Sequence, residues 1–264
     1  MLEYRHAALQ LVRHWLLCEG RHSIHSPFLF RFYNEVLSPP ARDLLPDVER
    51  LRSALGSDER ILSEGDHGSG RRNSRSRSVR SVVRNEVAGS SLASCYCSII
   101  RFLNARNILE VGTSLGLTTL YLSAQPETQV ITLEENEEIA RMAADNFRFL
   151  RRDNIRLITG NADHTLSSVL DGFIPEVAIV DANHRLDPTV RYFKQLKENM
   201  SEKGVIVIDD IHYSKEMSMA WEAMISDPAV SMTLDCYRFG VIFLDPALPV
   251  GVRRMEVALK NFYE

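Results

Sequence analysis

Short apolar runs alternate with helix-length amphipathic segments over the C-terminal two thirds of the chain. Five runs predict buried strands, and the segments between them are long enough for right-handed parallel crossovers. Two further runs flank the short link C-Y-R-F, which predicts an antiparallel hairpin. The pattern predicts an α/β three-layer sandwich with a mostly parallel, seven-stranded sheet that ends in this hairpin. The predicted strands are Ile108–Val111, Val130–Leu133, Ile155–Thr159, Val177–Val180, Val205–Ile208, Val230–Asp235 and Gly240–Leu244.

The N-terminal third predicts a helical extension. Apolar positions between Leu9 and Leu17 mark an amphipathic helix, and the Ser26-Pro27 step predicts the start of a second helix with a large aromatic surface. A region rich in Gly, Ser and Arg follows, at residues 65–84. We therefore expect two parts, with residues 1–85 as a helical extension and Arg-rich linker or lid, and residues 86–264 as the core domain.

The stretch from Asn107 to Glu134 contains a glycine-bearing turn between two predicted strands, and an acid lies at the end of each strand. Gly112 allows a sharp turn, and Gly116 lets the backbone come close to a ligand at a helix start. Glu134 lies 22 residues beyond Gly112, where an acid can bind both ribose hydroxyls. This arrangement predicts a nucleoside-cofactor site in a Rossmann-like fold.

The turn itself, G-T-S-L-G, lacks the middle glycine of dinucleotide-binding turns, which disfavours a pyrophosphate. Glu110 would also repel phosphate, but it suits the amino group of an amino acid. S-adenosylmethionine fits both facts, although a glycine turn inside any Rossmann-like fold is the alternative. The segment E-V-G-T-S-L-G-L-T-T resembles the first motif of the class I methyltransferases, T-L-E their second, and G-N-A-D the region that holds adenine. The resemblance implies cofactor contacts from Glu110, Gly112, Thr113, Ser114, Gly116, Glu134, Asp163 and Asp181.

Polar residues follow the fourth and fifth predicted strands, in IVDANHRLDP and VIVIDDIHYSKEM. The carboxyl ends of parallel strands meet at one edge, so Asp181, Asp209 and Asp210 are expected to cluster there. Clustered carboxylates cost several kcal/mol unless a cation or a proton neutralises them, and oxygen ligands suit Mg²⁺, Mn²⁺ or Ca²⁺. These three acids are therefore the candidate metal ligands. The alternative is that some of them cap helices or bind neighbouring Arg residues.

Catechol O-methyltransferase and its relatives place an acid and an Asp-Asn pair at these positions, and Asp210 departs from that pattern. Without a metal, His184 or His212 could act as general base, because an imidazole accepts a proton near neutral pH. The candidate catalytic residues are therefore Asp181, His184, Asp209 and His212. Asp187, which precedes a proline, is interpreted as a helix N-cap and is left out of the site.

Composition indicates which classes of partner this protein can bind. The 264-residue chain has a formal net charge of −4, which argues against a general binder of nucleic acids or of membrane surfaces. Four cysteines without a C-x-x-C pair favour reduced thiols and a cytoplasmic location. We expect neither a signal peptide nor a membrane-spanning segment.

The Arg-rich segment invites a nucleic-acid interpretation, but it lacks aromatic residues for stacking. Its arginines are Arg71, Arg72, Arg75, Arg77, Arg80 and Arg84.

Three longer blocks, H-S-I-H-S-P-F, D-A-N-H-R-x-x-P-T-x-R-Y-F and D-D-I-H-Y-S-K-E-M, are similar to a group of uncharacterised bacterial methyltransferases found among Bacteroidetes. We therefore expect an S-adenosylmethionine-dependent O-methyltransferase of the catechol O-methyltransferase-like branch. Its substrate would be a small hydroxylated molecule that could carry a negative charge, and Mg²⁺ or another divalent cation could assist the reaction. A homodimer is a weak preference. The alternatives are an RNA or N-methyltransferase that uses the Arg-rich segment, and a non-catalytic scaffold that binds the cofactor.

Overall fold

The computed structural model describes residues 2–62 and 77–255. Its strands are β1 (Ile61–Leu62), β2 (Arg77–Ser78), β3 (Asn107–Val111), β4 (Gln129–Glu134), β5 (Ile155–Thr159), β6 (Val177–Val180), β7 (Val205–Asp209), β8 (Met232–Asp235), β9 (Phe239–Phe243) and β10 (Gly251–Arg254). Its α-helices are α1 (Leu2–Leu17), α2 (Pro27–Phe32), α3 (Pro46–Leu55), α4 (Val79–Asn85), α5 (Ser90–Leu103), α6 (Leu117–Leu122), α7 (Glu137–Phe149), α8 (Ala162–Leu170), α9 (Leu186–Asn199) and α10 (Lys215–Ile225).

The central sheet has the strand order β10-β8-β9-β7-β6-β3-β4-β5. Strands β3 to β7 run parallel, and β9 is antiparallel to both β7 and β8. Buried apolar clusters cover both faces of this sheet, which makes the three layers predicted from the sequence. Because the strand order reverses between β3 and β6, the ligand crevice is expected at the carboxyl ends of these central strands.

Within the described part of the chain, the sheet has one strand more than the seven predicted. The additional strand β10 pairs in parallel with β8 at the sheet edge, in the register Gly251↔Met232 to Arg254↔Asp235. Its sequence G-V-R-R carries a single apolar residue, and Val252 is exposed. The strand was missed because backbone pairing rather than an apolar face defines it.

The aromatic surface of α2 packs on the protein's own sheet. Ser26 caps this helix by accepting from the Leu29 amide, and Pro27 is its first residue, as the sequence predicted. Phe32 is fully buried and meets the rings of Phe102 and Phe243 edge-on, with centroids 5.2 and 5.6 Å apart. Truncating such a ring to alanine costs about 3–5 kcal/mol. The extension therefore shares the core of the sheet, whereas the proposed boundary at residue 85 stays a prediction.

Two further sequence interpretations can be compared with the structure. Asp187 does not cap α9, because the N-cap is Arg185 and Asp187 lies within the first helical turn. Its carboxylate can still favour the positive end of the helix dipole from there. Cys95, Cys97 and Cys236 are buried thiols, as predicted. Among the residues that the structure describes, no helix is long and apolar enough to cross a membrane.

Candidate active site

The turn after β3 needs glycine at two positions. Gly112 has φ +106°, and a Cβ atom there would lie 2.2 Å from the carbonyl oxygen of Asp181. Gly116 has φ +78°, and a Cβ atom there would lie 2.4 Å from the ring of Phe147. Both backbone conformations are strained for residues with a side chain. The turn is thus packed tightly between β6 and α7, and α6 begins directly after it.

Glu134 ends β4 beside this turn. Its carboxylate oxygens accept hydrogen bonds from the backbone amides of Ser114, at 2.8 Å, and Asn136, at 2.9 Å. Burial raises the pKa of Glu134, and the two amides and Arg77 partly offset that rise. The acid is therefore positioned at the mouth of the glycine turn by two backbone donors, as a ribose ligand requires.

Glu110 lies at the bottom of the same crevice, with an exposed fraction of 1%. Its Oε2 accepts from the hydroxyls of Thr119 at 2.5 Å and Thr132 at 2.6 Å. The Thr132 hydroxyl also lies 2.6 Å from that of Thr113. Burial raises the pKa of Glu110 to about 7, against the opposing effect of the threonine hydroxyls. These donors are neutral, so a cationic ligand would compensate the charge of Glu110 better than the protein does alone.

Three acids meet at the neighbouring strand ends, as the sequence predicted. Asp181 follows β6, Asp209 ends β7 and Asp210 comes next. Asp209 is 1% exposed, and its Oδ1 accepts from the hydroxyl of Tyr96 at 3.0 Å. Burial and the charges of Asp209 and Asp210 raise the pKa of Asp181 well above its usual value. Burial and the charge of Asp209 also raise the pKa of Asp210.

A guanidinium compensates this cluster. Arg238 Nη2 lies 3.4 Å from Oδ2 of Asp209, and Nη1 pairs with Oδ1 of Asp210. Burial opposes the charge on Arg238, but Asp209 and Asp210 raise its pKa above the usual value. Tyr96 completes the arrangement from α5. Burial first and the charge of Asp209 second raise its pKa well above the usual value, so it stays a hydrogen-bond donor.

The strand register explains how Arg238 reaches the acids. Phe239, the first residue of β9, pairs with Asp209, the last residue of β7. Arg238 therefore leaves the hairpin directly beside the carboxyl end of β7. The turn is fixed by Tyr237, which has φ +64° and whose amide donates to Asp235 Oδ1 at 2.9 Å. The sequence predicts this hairpin but not the role of Arg238, because no local motif shows which strand end a turn residue faces.

The predicted metal site does not fit this geometry. Within residues 2–62 and 77–255, no group of three or more His, Cys, Asp or Glu side chains is arranged to hold a metal ion. Arg238 and Tyr96 contact both oxygens of Asp209, and Arg238 also pairs with Asp210. The structure favours the alternative prediction, in which a neighbouring Arg residue pairs with these carboxylates.

The two candidate histidines differ. His184 is partly exposed, and its Nε2 lies 3.4 Å from Oδ1 of Asp181. His212 is buried, and both of its ring nitrogens are engaged, with Ser218 Oγ at 3.2 Å and Asp235 Oδ2 at 2.9 Å. His184 can therefore exchange a proton with a ligand, whereas His212 is held in an internal network.

That network connects α1 to the edge of the sheet. Asp235, 2% exposed, faces His14 at 3.3 Å as well as His212. Burial alone would raise the pKa of Asp235, but the two histidines lower it below its usual value. A cavity of about 380 Å³ lies beside these groups, between α1 and α10. Its lining includes three cationic residues, namely Arg13, Lys215 and Arg254.

Asp163 lies at the start of α8, where its carboxylate receives a 2.7 Å hydrogen bond from Arg191. This side chain is one-third exposed, so an adenine contact would compete with an existing ion pair. The predicted role of Asp163 stays a prediction.

Backbone strain marks the same edge of the sheet. Seven non-glycine residues in the described part of the chain have positive φ, a conformation that costs of the order of 1–3 kcal/mol. Five of them follow β3, β6, β7 or β8, so the strain is concentrated at the proposed site. These five are Ser114, Asn183, His184, Asp210 and Tyr237. Residue type alone did not predict these conformations.

The Arg-rich segment is only partly described. Arg71, Arg72 and Arg75 lie outside the described residues, so the expected role of this segment as a linker or lid stays a prediction. Arg77 pairs with Glu86 and Arg80 with Glu59. These two arginines thus have internal acidic partners, which weakens the interpretation of the segment as a phosphate-binding surface.

Comparisons with known proteins bear on the family and the fold. Residues 109–211 match the family described as "Methyltransferase domain". The chain is 29% identical over 118 residues to a catechol O-methyltransferase of Mycobacterium tuberculosis, a match that covers 44% of this chain. It spans about half the length of that relative, 52%.

Two solved structures share the fold. An O-methyltransferase from Bacillus cereus, in complex with SAH, has a TM-score of 0.54 and 19% identity, with 60% of this chain and 83% of that chain covered. The O-methyltransferase TomG from Streptomyces achromogenes, in complex with SAM, has a TM-score of 0.54 and 18% identity, with coverage of 61% and 82%.

The structure thus has the Rossmann-like fold of these methyltransferase structures, and residues 109–211 match the methyltransferase domain. The resemblance to S-adenosylmethionine-dependent O-methyltransferases that the sequence indicated is confirmed at this level. The closer similarity to Bacteroidetes proteins stays a prediction.

Proposed function

We propose that this protein transfers a methyl group from S-adenosylmethionine to a hydroxyl oxygen of a small, anionic molecule. One observation carries the proposal: two acids flank a glycine turn at the ends of β3 and β4, and an aspartate–histidine pair follows the neighbouring strand β6. The first two acids, Glu110 and Glu134, suit a cofactor with a cationic and a ribose group. The pair of Asp181 and His184 suits an acceptor that must lose a proton.

The cofactor would be held by residues at the carboxyl edge of β3 and β4. Glu134 would bind the ribose hydroxyls, and the Gly112–Gly116 turn would lie against the ligand. Glu110 would compensate its positive charge, because this acid is buried with only hydroxyl donors on its carboxylate. Bound S-adenosylmethionine would supply an electrophilic methyl group. Such binding also requires burial of the ligand, which the position of the crevice at the switch point between β3 and β6 supports.

His184 is the proposed general base. If its Nε2, which lies 3.4 Å from Asp181 Oδ1, carries the hydrogen, Nδ1 is left as the acceptor for a proton from the substrate hydroxyl. The charge of Asp210, which interacts with that of His184, then favours the imidazolium. An imidazole placed in this way contributes about 10²–10⁴-fold in rate.

The cavity beside His212 supports an anionic acceptor. Arg13, Lys215 and Arg254 bring positive charge to its lining, against the two acids Asp235 and Glu222, whereas the chain as a whole is acidic. Arg254 is partly compensated by Asp235 at 3.7 Å. A substrate carboxylate or phosphate bound there would place the rest of a small molecule toward the loop that follows β7.

The activity can be tested with matched acceptors. Hydroxylated aromatic acids and the same compounds without the acid group would be incubated with S-adenosylmethionine, and methylated product and S-adenosylhomocysteine would be measured by mass spectrometry. We expect both products in equal amounts, with a higher kcat/KM for the acids. His184→Ala should lower kcat about 100-fold, whereas the exposed His164→Ala should not. No methylation of any compound in the panel, or an equal kcat/KM with and without the acid group, would contradict the proposal.

Oligomeric state and cellular location are finer predictions. α1 exposes Leu9, Val12, Trp15 and Leu16, and a second subunit could cover these side chains in a homodimer. Light scattering at two protein concentrations measures the mass directly. A cytoplasmic location stays a prediction from the cysteine content.

A further inference from the structure

We propose that Arg238 is the resident cation of the reaction centre, so that the three carboxylates work without a divalent metal ion. The inference rests on the proposed function, because it assigns the charge balance of the same crevice. Its basis is geometry: one guanidinium lies across two consecutive acids, Asp209 and Asp210, and contacts an oxygen of each.

The carboxylate oxygens are already engaged. Oδ1 of Asp209 accepts from Tyr96 at 3.0 Å, and Oδ2 faces Arg238 at 3.4 Å. A divalent ion needs its oxygen ligands at about 2.0–2.6 Å, a distance at which it would displace the guanidinium from the same oxygens. Arg238 and a metal ion are therefore alternatives at this site.

The fold holds Arg238 in place. β9 pairs with β7 through five residues, from Val205↔Phe243 to Asp209↔Phe239, and Arg238 directly precedes the last of these pairs. A slip of the hairpin by one residue would turn the buried side chains of β9 to the opposite face. Retracting Arg238 would also leave Asp209, which is 1% exposed, as a buried charge without its cation. Removing one partner of a buried ion pair is strongly destabilising.

The charge balance favours a cationic ligand. One guanidinium does not cancel three carboxylates, so negative charge remains at the edge of β6 and β7. A sulfonium ligand beside this edge would be attracted to this negative charge, and a dication in place of the guanidinium would leave less of it. Arginine also stays protonated at any pH relevant to proteins, so a chelator cannot remove this cation.

The proposal can be tested by Mn²⁺ binding, measured by electron paramagnetic resonance on the full chain without cofactor or acceptor. The variants are Arg238→Met and the matched control Arg254→Met. Arg254 also faces a buried aspartate, and the two arginine side chains are 26% and 25% exposed. We expect wild type and Arg254→Met to bind Mn²⁺ only weakly. Arg238→Met, with its acids uncovered, should bind about one Mn²⁺ at least tenfold more tightly, a difference of about 1.4 kcal/mol.

Two results would overturn the proposal. The first is one tightly bound Mn²⁺ in the wild-type protein that is lost in Asp209→Asn. The second is a folded Arg238→Met variant that binds Mn²⁺ no better than Arg254→Met. If Arg238→Met does not fold, the wild-type titration alone still decides the first result. Arg238→Lys, which keeps the positive charge, is then the variant to compare with wild type.

Cofactor titration of the same wild-type sample separates this inference from the proposed function. Binding of S-adenosylmethionine unchanged by a chelator would support Arg238 as the resident cation. Loss of that binding on chelation would contradict the inference and leave a metal-assisted methyltransferase. Failure to bind the cofactor under any condition would reject the proposed function itself.

Discussion

Buried carboxylates have different partners in the two halves of one sheet edge. At the end of β3, Glu110 is covered by threonine hydroxyls, and burial raises its pKa to about 7. At the end of β7, Asp209 is equally buried but has Arg238 as its counter-ion. The first half is left with a charge that a ligand can compensate, and the second half is compensated by the protein. The difference indicates that the first half needs a cation from a ligand, whereas the second half does not.

The largest expected effect is that of Gly112→Ala in the cofactor half. The added methyl would lie 2.2 Å from a backbone oxygen at φ +106°, so the turn must move and cofactor binding should be lost. We expect a loss of at least about 3 kcal/mol in the free energy of unfolding, measured by urea denaturation. Gly172→Ala is the control, because a Cβ atom there has nothing within 4 Å. Equal effects of both variants would contradict the tight packing of the turn.

Glu110→Gln should act in the opposite direction on the protein without ligand. The pKa of Glu110 rises from 4.5 to about 7 on folding, so the folded state binds more protons than the unfolded state between these values. Stability should therefore fall as pH rises through this window. The glutamine variant lacks this loss and should be more stable at pH 8 by roughly 2–3 kcal/mol.

Thermal unfolding of Glu110→Gln and wild type at pH 4.5 and pH 8 measures that difference. The two proteins should have similar stability at pH 4.5, and the variant should bind S-adenosylmethionine much more weakly at either pH. A variant that is less stable than wild type at pH 8 would show that Glu110 is compensated by the protein after all.

Glu134→Ala tests the ribose assignment. Loss of hydrogen bonds to a charged acceptor costs about 1.5–3 kcal/mol, so the dissociation constant for S-adenosylmethionine should rise about 10–100-fold. The control is Glu137→Ala, an exposed acid in the next helix that pairs with Arg141. Unchanged affinity in Glu134→Ala would remove this residue from the site.

His212→Ala should have the smallest effect, and it should affect stability rather than cofactor affinity. Asp235 keeps His14 and Arg254 as partners in this variant, so we expect a loss of about 1–2 kcal/mol. Chemical denaturation of this variant and of His164→Ala gives the comparison. A change in cofactor affinity without a change in stability would return His212 to the catalytic centre.

The same two halves show how far the sequence could be interpreted. The strands, the glycine turn and the acids at the strand ends were predicted because apolar runs and turn residues are local signals. Arg238 was missed because its role depends on the pairing of β9 with β7, two strands separated in sequence. The positive φ of Asn183, His184 and Asp210 was missed because these residue types adopt it more often than most, but only in a few per cent of cases.

The catalytic role of His212 stays a prediction from its position alone. It follows β7 as closely as a catalytic residue would, but both nitrogens of its ring have partners within the protein, Asp235 and Ser218. The direction of a loop side chain depends on partners from α10 and β8, which local sequence does not identify. The domain boundary and the role of the Arg-rich segment also stay predictions.

Calorimetric titration of the purified protein with S-adenosylmethionine in the presence of a chelator tests the account most directly. We predict one bound cofactor per chain with a micromolar dissociation constant, corresponding to about −8 kcal/mol, and the same affinity when Mg²⁺ replaces the chelator. Absence of binding under both conditions, or binding that requires Mg²⁺, would contradict the account.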